Sequence, residues 1–413
     1  MKSVVFRRAK VFDGWNHEVT DECDVLVADG LIREVSTQPL PTPGEVVAVD
    51  CRGLVVMPGL IDAHVHVYAS SVNLAKSTRQ PATYLAHFAA GFLRSCLDRG
   101  FTTVRDVGGA DVGLALALKE NLVEGPRLFY GGRVLSQTGG HGDFRAVDHD
   151  LEAHCHGCAC GNDALATVVD GVDEMRRAVR EELRRGASHI KIMGSGGVSS
   201  PSDPLDRCQF SEAEISAAVD EADRAGKYVA AHCHPAEAVR RCVTLGVRSI
   251  EHATLIDRDT AGLVAERGAY VVPTMAIIFG LLEQGERLGF PRVSMEKLRR
   301  ITDHALTSLD ILRRAGAKMG FGTDLLGELC ARQCSEFELR ARVLPIVDIL
   351  RSACALNAEL LGEAGRLGCV RPGALADLLV VDGDPTKDIS VLAGEADRLR
   401  VIMKGGRFHK RMI

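Results

Sequence analysis

The pentapeptide Asp62-Ala63-His64-Val65-His66 closes an apolar run, Leu54-Val55-Val56-Met57-Pro58-Gly59-Leu60-Ile61, and sets two imidazoles two residues apart. Side chains alternate along a strand, so His64 and His66 share one face. Two nitrogen donors aimed the same way suit a borderline metal such as zinc, provided other side chains complete the shell. An isolated pair of this kind serves a structural role as readily, so the rest of the chain decides its meaning.

An apolar stretch ending in a possible ligand recurs downstream. It is seen in His189-Ile190-Lys191-Ile192-Met193, Tyr228-Val229-Ala230-Ala231-His232-Cys233-His234, Ser249-Ile250-Glu251-His252 and Met319-Gly320-Phe321-Gly322-Thr323-Asp324. Between these stretches lie segments of helical periodicity, such as Ser211 to Ala225, where Ser211 and Glu214 form a capping-box signal, and Pro235 to Leu245. Strand candidates near Ile61 to Val67, Thr102 to Val107, Arg127 to Gly131, Ile190 to Gly194, Tyr228 to His232, Ser249 to His252, Tyr270 to Pro273 and Lys318 to Asp324 alternate with helices. That alternation predicts an α/β chain closed into a (β/α)8 barrel, whose chemistry gathers at the C-terminal ends of the strands. The His, Lys and Asp residues fall at those ends.

With these motifs in this order, the chain resembles the amidohydrolase superfamily of metal-dependent hydrolases. The resemblance rests on Pro58-Gly59-Leu60-Ile61-Asp62-Ala63-His64-Val65-His66, Lys191, His232, His252 and Asp324, and on the flanking Arg371-Pro372-Gly373-Ala374-Leu375-Ala376-Asp377-Leu378-Leu379-Val380-Val381. It covers nearly the whole chain. It implies a TIM-like barrel over residues 59–367 and a small β-sandwich built from both chain ends, 1–58 and 368–413. Short strand signals at Ser3 to Phe6, Cys23 to Ala28, Leu31 to Val35, Ala376 to Val381 and Leu399 to Met403 agree with that arrangement.

The resemblance also implies two divalent metal ions, with zinc expected. His64, His66 and Asp324 would hold one and His232 and His252 the other, with Lys191, carbamylated by CO2, bridging them. A bridging hydroxide would be the nucleophile and Asp324 the group that passes its proton to the leaving amine. The plain alternative for Lys191 is a lysine paired with an acid inside the barrel, since an unpaired buried ammonium is costly. His189 shares its strand face one step deeper and is expected in the core.

With 413 residues and 46% hydrophobic content the chain can bury a large core and a smaller companion. A net charge of -5 without a dense basic run argues against nucleic acid as partner; Arg184-Arg185 and Arg313-Arg314 look like helix ends. The first residues lack the apolar core of a signal peptide and no apolar run is long enough to span a bilayer, so a soluble, cytoplasmic protein free of membranes is expected; separately, a homo-oligomer is expected. Thirteen scattered cysteines fit reduced thiols. The cluster His154-Cys155-His156-Gly157-Cys158-Ala159-Cys160, near His149, lacks a second separated ligand pair and reads as a loop over the barrel mouth rather than a structural zinc site.

Substrate recognition falls to the loops. His141, in Thr138-Gly139-Gly140-His141-Gly142-Asp143, is a candidate substrate contact; Ser195-Gly196-Gly197-Val198-Ser199-Ser200-Pro201 lacks a Walker lysine and reads as a mobile lid. The closest branch in resemblance contains Xaa-Pro dipeptidases and carboxypeptidases for basic residues, whose substrates carry a free α-carboxylate. Proline-specific members have a tyrosine two positions after the fifth-strand ligand, where this chain has His234, a residue still able to hydrogen-bond a carboxylate. After strand seven, Met275, Ile277, Ile278 and Phe279 suit a small apolar leaving residue, whereas Glu283 and Glu286 would serve a basic one if turned inward. The sequence therefore points to a binuclear hydrolase of small peptides or N-acyl amino acids, with Xaa-Pro dipeptides leading. The alternatives are a carboxypeptidase for C-terminal Arg or Lys and a cyclic-amide hydrolase or deaminase such as an imidazolonepropionase relative, for which a bridging Lys191 has no use.

Overall fold

The structure, a computed structural model, describes residues 3–41, 45–145, 165–200, 203–394 and 396–413. Its centre is a (β/α)8 barrel. The parallel strands Leu60–Val65, Phe101–Asp106 and Arg127–Tyr130 form one ladder. A second ladder runs through Val134–Ser136, Ile190–Met193, Val229–Pro235, Ser249–Leu255, Tyr270–Val272 and Lys318–Met319, with Ala166–Val168 at its edge.

The two ladders meet at two seams. At the third strand Gly131 and Gly132 interrupt the pairing, and Ser188 N donates to Tyr130 O (2.7 Å) to carry the sheet across. A Cβ on Gly132, which has a φ of 72°, would lie 2.2 Å from Glu182 Oε2, so only glycine permits this approach. At the other seam, Ala63 N donates to Phe321 O (2.8 Å), and the Asn357 amide donates to Ile61 O (2.7 Å) and Phe321 O (2.8 Å). The eighth strand is therefore shorter than the sequence suggests: regular pairing ends at Met319, and the stretch to Asp324 is held by single bonds rather than by a ladder.

The chain ends build a second layered unit. Ser3–Val11 pairs antiparallel with Cys23–Ala28, parallel with Val46–Asp50 through its first half, and parallel with Val55–Pro58 through its last two residues. Val55–Pro58 in turn pairs antiparallel with Leu378–Val381, which continues to Leu399–Lys404 and Arg407–Arg411. Phe6, Val25, Val56, Leu378, Val380 and Val401 fill the core between the two faces. The apolar run Leu54 to Ile61 is thus split between the two units. Gly59 is the hinge, where a Cβ would fall 2.1 Å from Thr102 Oγ1. Arg407–Arg411 escapes sequence reading because an edge strand of charged residues carries no apolar alternation.

Helices cover the barrel. Glu212–Arg224 begins with the expected capping box of Ser211 and Glu214, and Val172–Arg184 and Arg292–Arg314 end at the two arginine pairs. The segment after the seventh strand is a helix, Met275–Gln284, not a loop. Among the described residues no helix is long and apolar enough to cross a membrane.

Candidate active site

The C-terminal ends of the barrel strands open into one cleft, and all eight site residues expected from the sequence line it: His64, His66, His141, Lys191, His232, His234, His252 and Asp324. Its volume, mouth included, is about 790 Å³. The Cys155, Cys158 and Cys160 cluster lies outside the described residues.

His64 and His66 project from the first strand and the loop just beyond it, toward Asp324, whose Oδ1 lies 3.4 Å from His64 Nε2 and 3.3 Å from His66 Nε2. Asp324 adopts a left-handed backbone (φ 55°), and its N–H donates to His64 O (2.8 Å). A non-glycine residue in this region is strained, and such strain clusters at functional sites. The approach also needs Gly322, where a Cβ would sit 2.6 Å from His64 Cβ. Asp62 closes the floor by accepting from Thr323 Oγ1 (2.7 Å) and Gln333 Nε2 (2.9 Å).

The ring orientations follow from what holds each Nδ1. His66 Nδ1 lies 2.9 Å from Gly108 O, His252 Nδ1 2.8 Å from Thr274 Oγ1, and His234 Nδ1 3.1 Å from Thr254 Oγ1. His64 Nδ1 is 2.7 Å from Glu251 Oε2, a carboxylate that also takes two hydrogen bonds from Arg105 (2.8 and 2.9 Å) and one from Ser249 Oγ (2.6 Å). Burial would raise the Glu251 carboxyl, but Arg105 and His64 hold it well below the usual carboxylate range. Nothing in the sequence marked Glu251 or Arg105 for a site role. The available signal was that two charged residues stand within expected barrel strands and must therefore find partners.

The donor set fits a divalent cation. His64, His66 and Asp324 each offer an atom within 4.8 Å of the others. Among the described residues, the Nε2 atoms of His64 and His232 are buried without a hydrogen-bond partner, which suits imidazoles that ligate an ion. Lys191 is 1% exposed, and burial pushes its pKa down against the opposing charges of Glu251 and Asp324. Burial likewise would raise Asp324, yet the adjoining His64 and His66 hold it well below its ordinary value.

His232 is at the centre of a group of rings. It stacks on His141 (centroids 4.4 Å apart) and meets His234 and His252 edge-on at 4.8 and 4.6 Å. Burial pushes His234 down to about 3, so it faces the cleft as a neutral imidazole at neutral pH. His189 does not reach the cleft; it is fully buried and stacks on Tyr228.

The upper wall is apolar, with Ile277, Ile278 and Leu281 from one helix and Leu298 and Ile301 from another, faced by Phe144 and Leu165. Met275 and Phe279 are not part of it. Glu283 and Glu286 point outward and pair with Arg332 (2.7 Å) and Arg299 (2.9 Å), so neither lines the cleft. In the loop after the fourth strand, the segment expected as a lid, Lys297 donates to the carbonyls of Gly197 and Ser200, and Pro201 lies outside the described residues.

The amidohydrolase family model matches residues 55–407. The crystal structure of an amidohydrolase is 46% identical with a TM-score of 0.97, covering 99% of each chain. That of a prolidase complexed with N-methylphosphonate-L-proline is 45% identical with a TM-score of 0.96, covering 99% of this chain and 100% of that one. Ochratoxinase of Aspergillus niger is 32% identical over 367 residues, 86% of this chain and 76% of the relative.

Proposed function

Because this chain belongs to the amidohydrolase family and is an enzyme of amide-bond hydrolysis, we propose that it cleaves dipeptides or N-acyl amino acids bearing a free carboxylate, with Xaa-Pro dipeptides as leading substrates. The observation that carries this reading is the convergence of imidazoles, a carboxylate and a buried lysine on one apolar-walled cleft. The prolidase and ochratoxinase likenesses support amide chemistry at such a site and leave the acyl group open.

In this reading His64, His66 and Asp324 would hold one divalent ion and His232 and His252 a second, and Lys191, as a carbamate, would serve both. The depressed pKa of Lys191 supports the carbamate, since only the neutral amine adds CO2. When bound, the ions, zinc by preference, supply Lewis acidity that polarises the substrate carbonyl and brings water into its reactive range.

The remaining steps belong to the protein. Asp324, anionic and partly open to the cleft, takes the proton of the attacking water and delivers it to the leaving nitrogen, which departs poorly as an anion. His141 and His234 meet the α-carboxylate by hydrogen bonds. The apolar wall receives the side chains on either side of the scissile bond, and Glu283 and Glu286 both turn away from it.

Metal-loaded enzyme assayed on Xaa-Pro, Xaa-Arg, Xaa-Lys and N-acyl amino acids, each free and as the carboxy-terminal amide, tests this reading. Free Xaa-Pro or N-acyl substrates should lead, and amides should be poor. Equal cleavage of free and amidated forms would overturn the carboxylate site.

A further inference from the structure

The loop after the fourth barrel strand folds around one ammonium group. Lys297, on the helix Arg292–Arg314, donates to the carbonyls of Gly197 (3.1 Å), Ser200 (2.8 Å) and Asp203, and its Nζ lies 3.7 Å from Asp203 Oδ1. Asp203 is 3% exposed. Its Oδ2 accepts from Gly197 N (2.9 Å) and Gln209 Nε2 (3.3 Å) and lies 3.4 Å from His141 Nδ1. A buried carboxylate persists only where charges and donors compensate it, and here the compensating groups are a lysine and an imidazole that faces the cleft.

Among the described residues, the ring of His141 is engaged by this loop and by a candidate metal ligand. Its Nδ1 is engaged by Ser200 Oγ (3.2 Å) and Asp203, and its ring stacks on His232 at 4.4 Å. A Cβ at Gly197 would fall 2.3 Å from its Nε2 and Cε1, so the loop backbone rests directly on the ring. An imidazole gripped through Nδ1 and packed on its ring keeps Nε2 as the nitrogen left for a ligand.

We propose that Asp203, itself held by Lys297, is a positioning residue that fixes the ring of His141 with Nδ1 on the loop and Nε2 toward the substrate. The inference rests on the reading of His141 as a substrate contact. It assigns to Asp203 an effect that passes entirely through His141, because a donor fixed before the substrate arrives needs no reorientation during binding. A carboxylate that merely braced the loop would act whether or not His141 were present.

A double-mutant cycle separates the two. The kcat and KM of wild type, Asp203→Asn, His141→Ala and the double variant are measured on whichever amide the wild-type enzyme cleaves, with melting temperatures alongside. Asp203→Asn should lower kcat/KM about tenfold, mainly through KM. In the His141→Ala background the same change should cost less than about twofold. Gly197→Ala, which pushes on the same ring, should show the same dependence and carries the cycle if Asp203→Asn does not fold. Losses that multiply, or a silent Asp203→Asn beside an impaired His141→Ala, would overturn the positioning role alone. A silent His141→Ala would overturn the substrate contact as well, so the two failures are distinguishable.

Discussion

His64 Nδ1 and Glu251 Oε2 lie 2.7 Å apart at the buried floor of the cleft, and behind them Arg105 closes a chain of charge that water does not reach. The arrangement fixes the His64 ring so that Nε2 faces Asp324, and an anionic partner makes the imidazole a stronger donor to a metal.

Glu251→Gln keeps the side-chain shape and removes the charge. Arg105, fully buried, would lose its anionic partner, which costs about 3–5 kcal/mol in comparable pairs. Metal affinity should also fall by about 10- to 100-fold as His64 loses its orienting carboxylate. Chemical denaturation and a chelator competition titration read the two effects, and near wild-type values in both would exclude the role given to Glu251.

On the proposed carbamate reading, Lys191→Ala should lose metal and activity together, because one bridge would organise both ions. The wild-type chain should carry about two divalent ions by elemental analysis, by the family's implied donor set. A Lys191→Ala protein with full occupancy would end the carbamate assignment.

Asp324→Asn leaves a group of the same size but one unable to take up the proton. Turnover should drop by about 10²- to 10⁴-fold while the melting temperature stays close to that of wild type. Since Asp324 also lies beside His64 and His66, metal content must be measured on the same sample. Retained metal with near-normal kcat would refute the proton-transfer role.

The strands, and the residues at their ends that line the cleft, were legible because an ionisable residue at the end of an apolar run leaves a local mark. The capping box at Ser211 and Glu214 is local in the same way. What escaped depends on distant partners. Arg105 and Glu251 are 146 residues apart, and neither has meaning until the barrel brings them together. Nothing in the sequence singled out Asp203, whose partners Lys297 and His141 lie far from it along the chain. The third strand was read as ending at Gly131, yet the sheet resumes at Val134–Ser136, because close approach at Gly132 bends the chain without ending the barrel.

The orientation of the helix Met275–Gln284 also had to be seen, and it bears on the proposed substrate class. A sequence with Ile277 and Ile278 near Glu283 and Glu286 permits either an apolar or a basic leaving residue. In the folded chain the isoleucines line the cleft, while Glu283 and Glu286 are engaged by arginines on the outside. Ile278→Ala and Leu298→Ala should therefore lower kcat/KM for substrates with bulky apolar side chains by about 10- to 100-fold, from about 1–3 kcal/mol of lost apolar contact. Glycine-containing analogues, which do not fill the wall, should change far less. Glu283→Ala and Glu286→Ala should remain within about twofold of wild type on every substrate, as is usual for exposed ion pairs. Steady-state kinetics on a paired series such as Leu-Pro and Gly-Pro reads both halves. A selective loss of Xaa-Arg cleavage in Glu283→Ala, with apolar substrates untouched, would overturn the apolar assignment and restore a basic leaving residue.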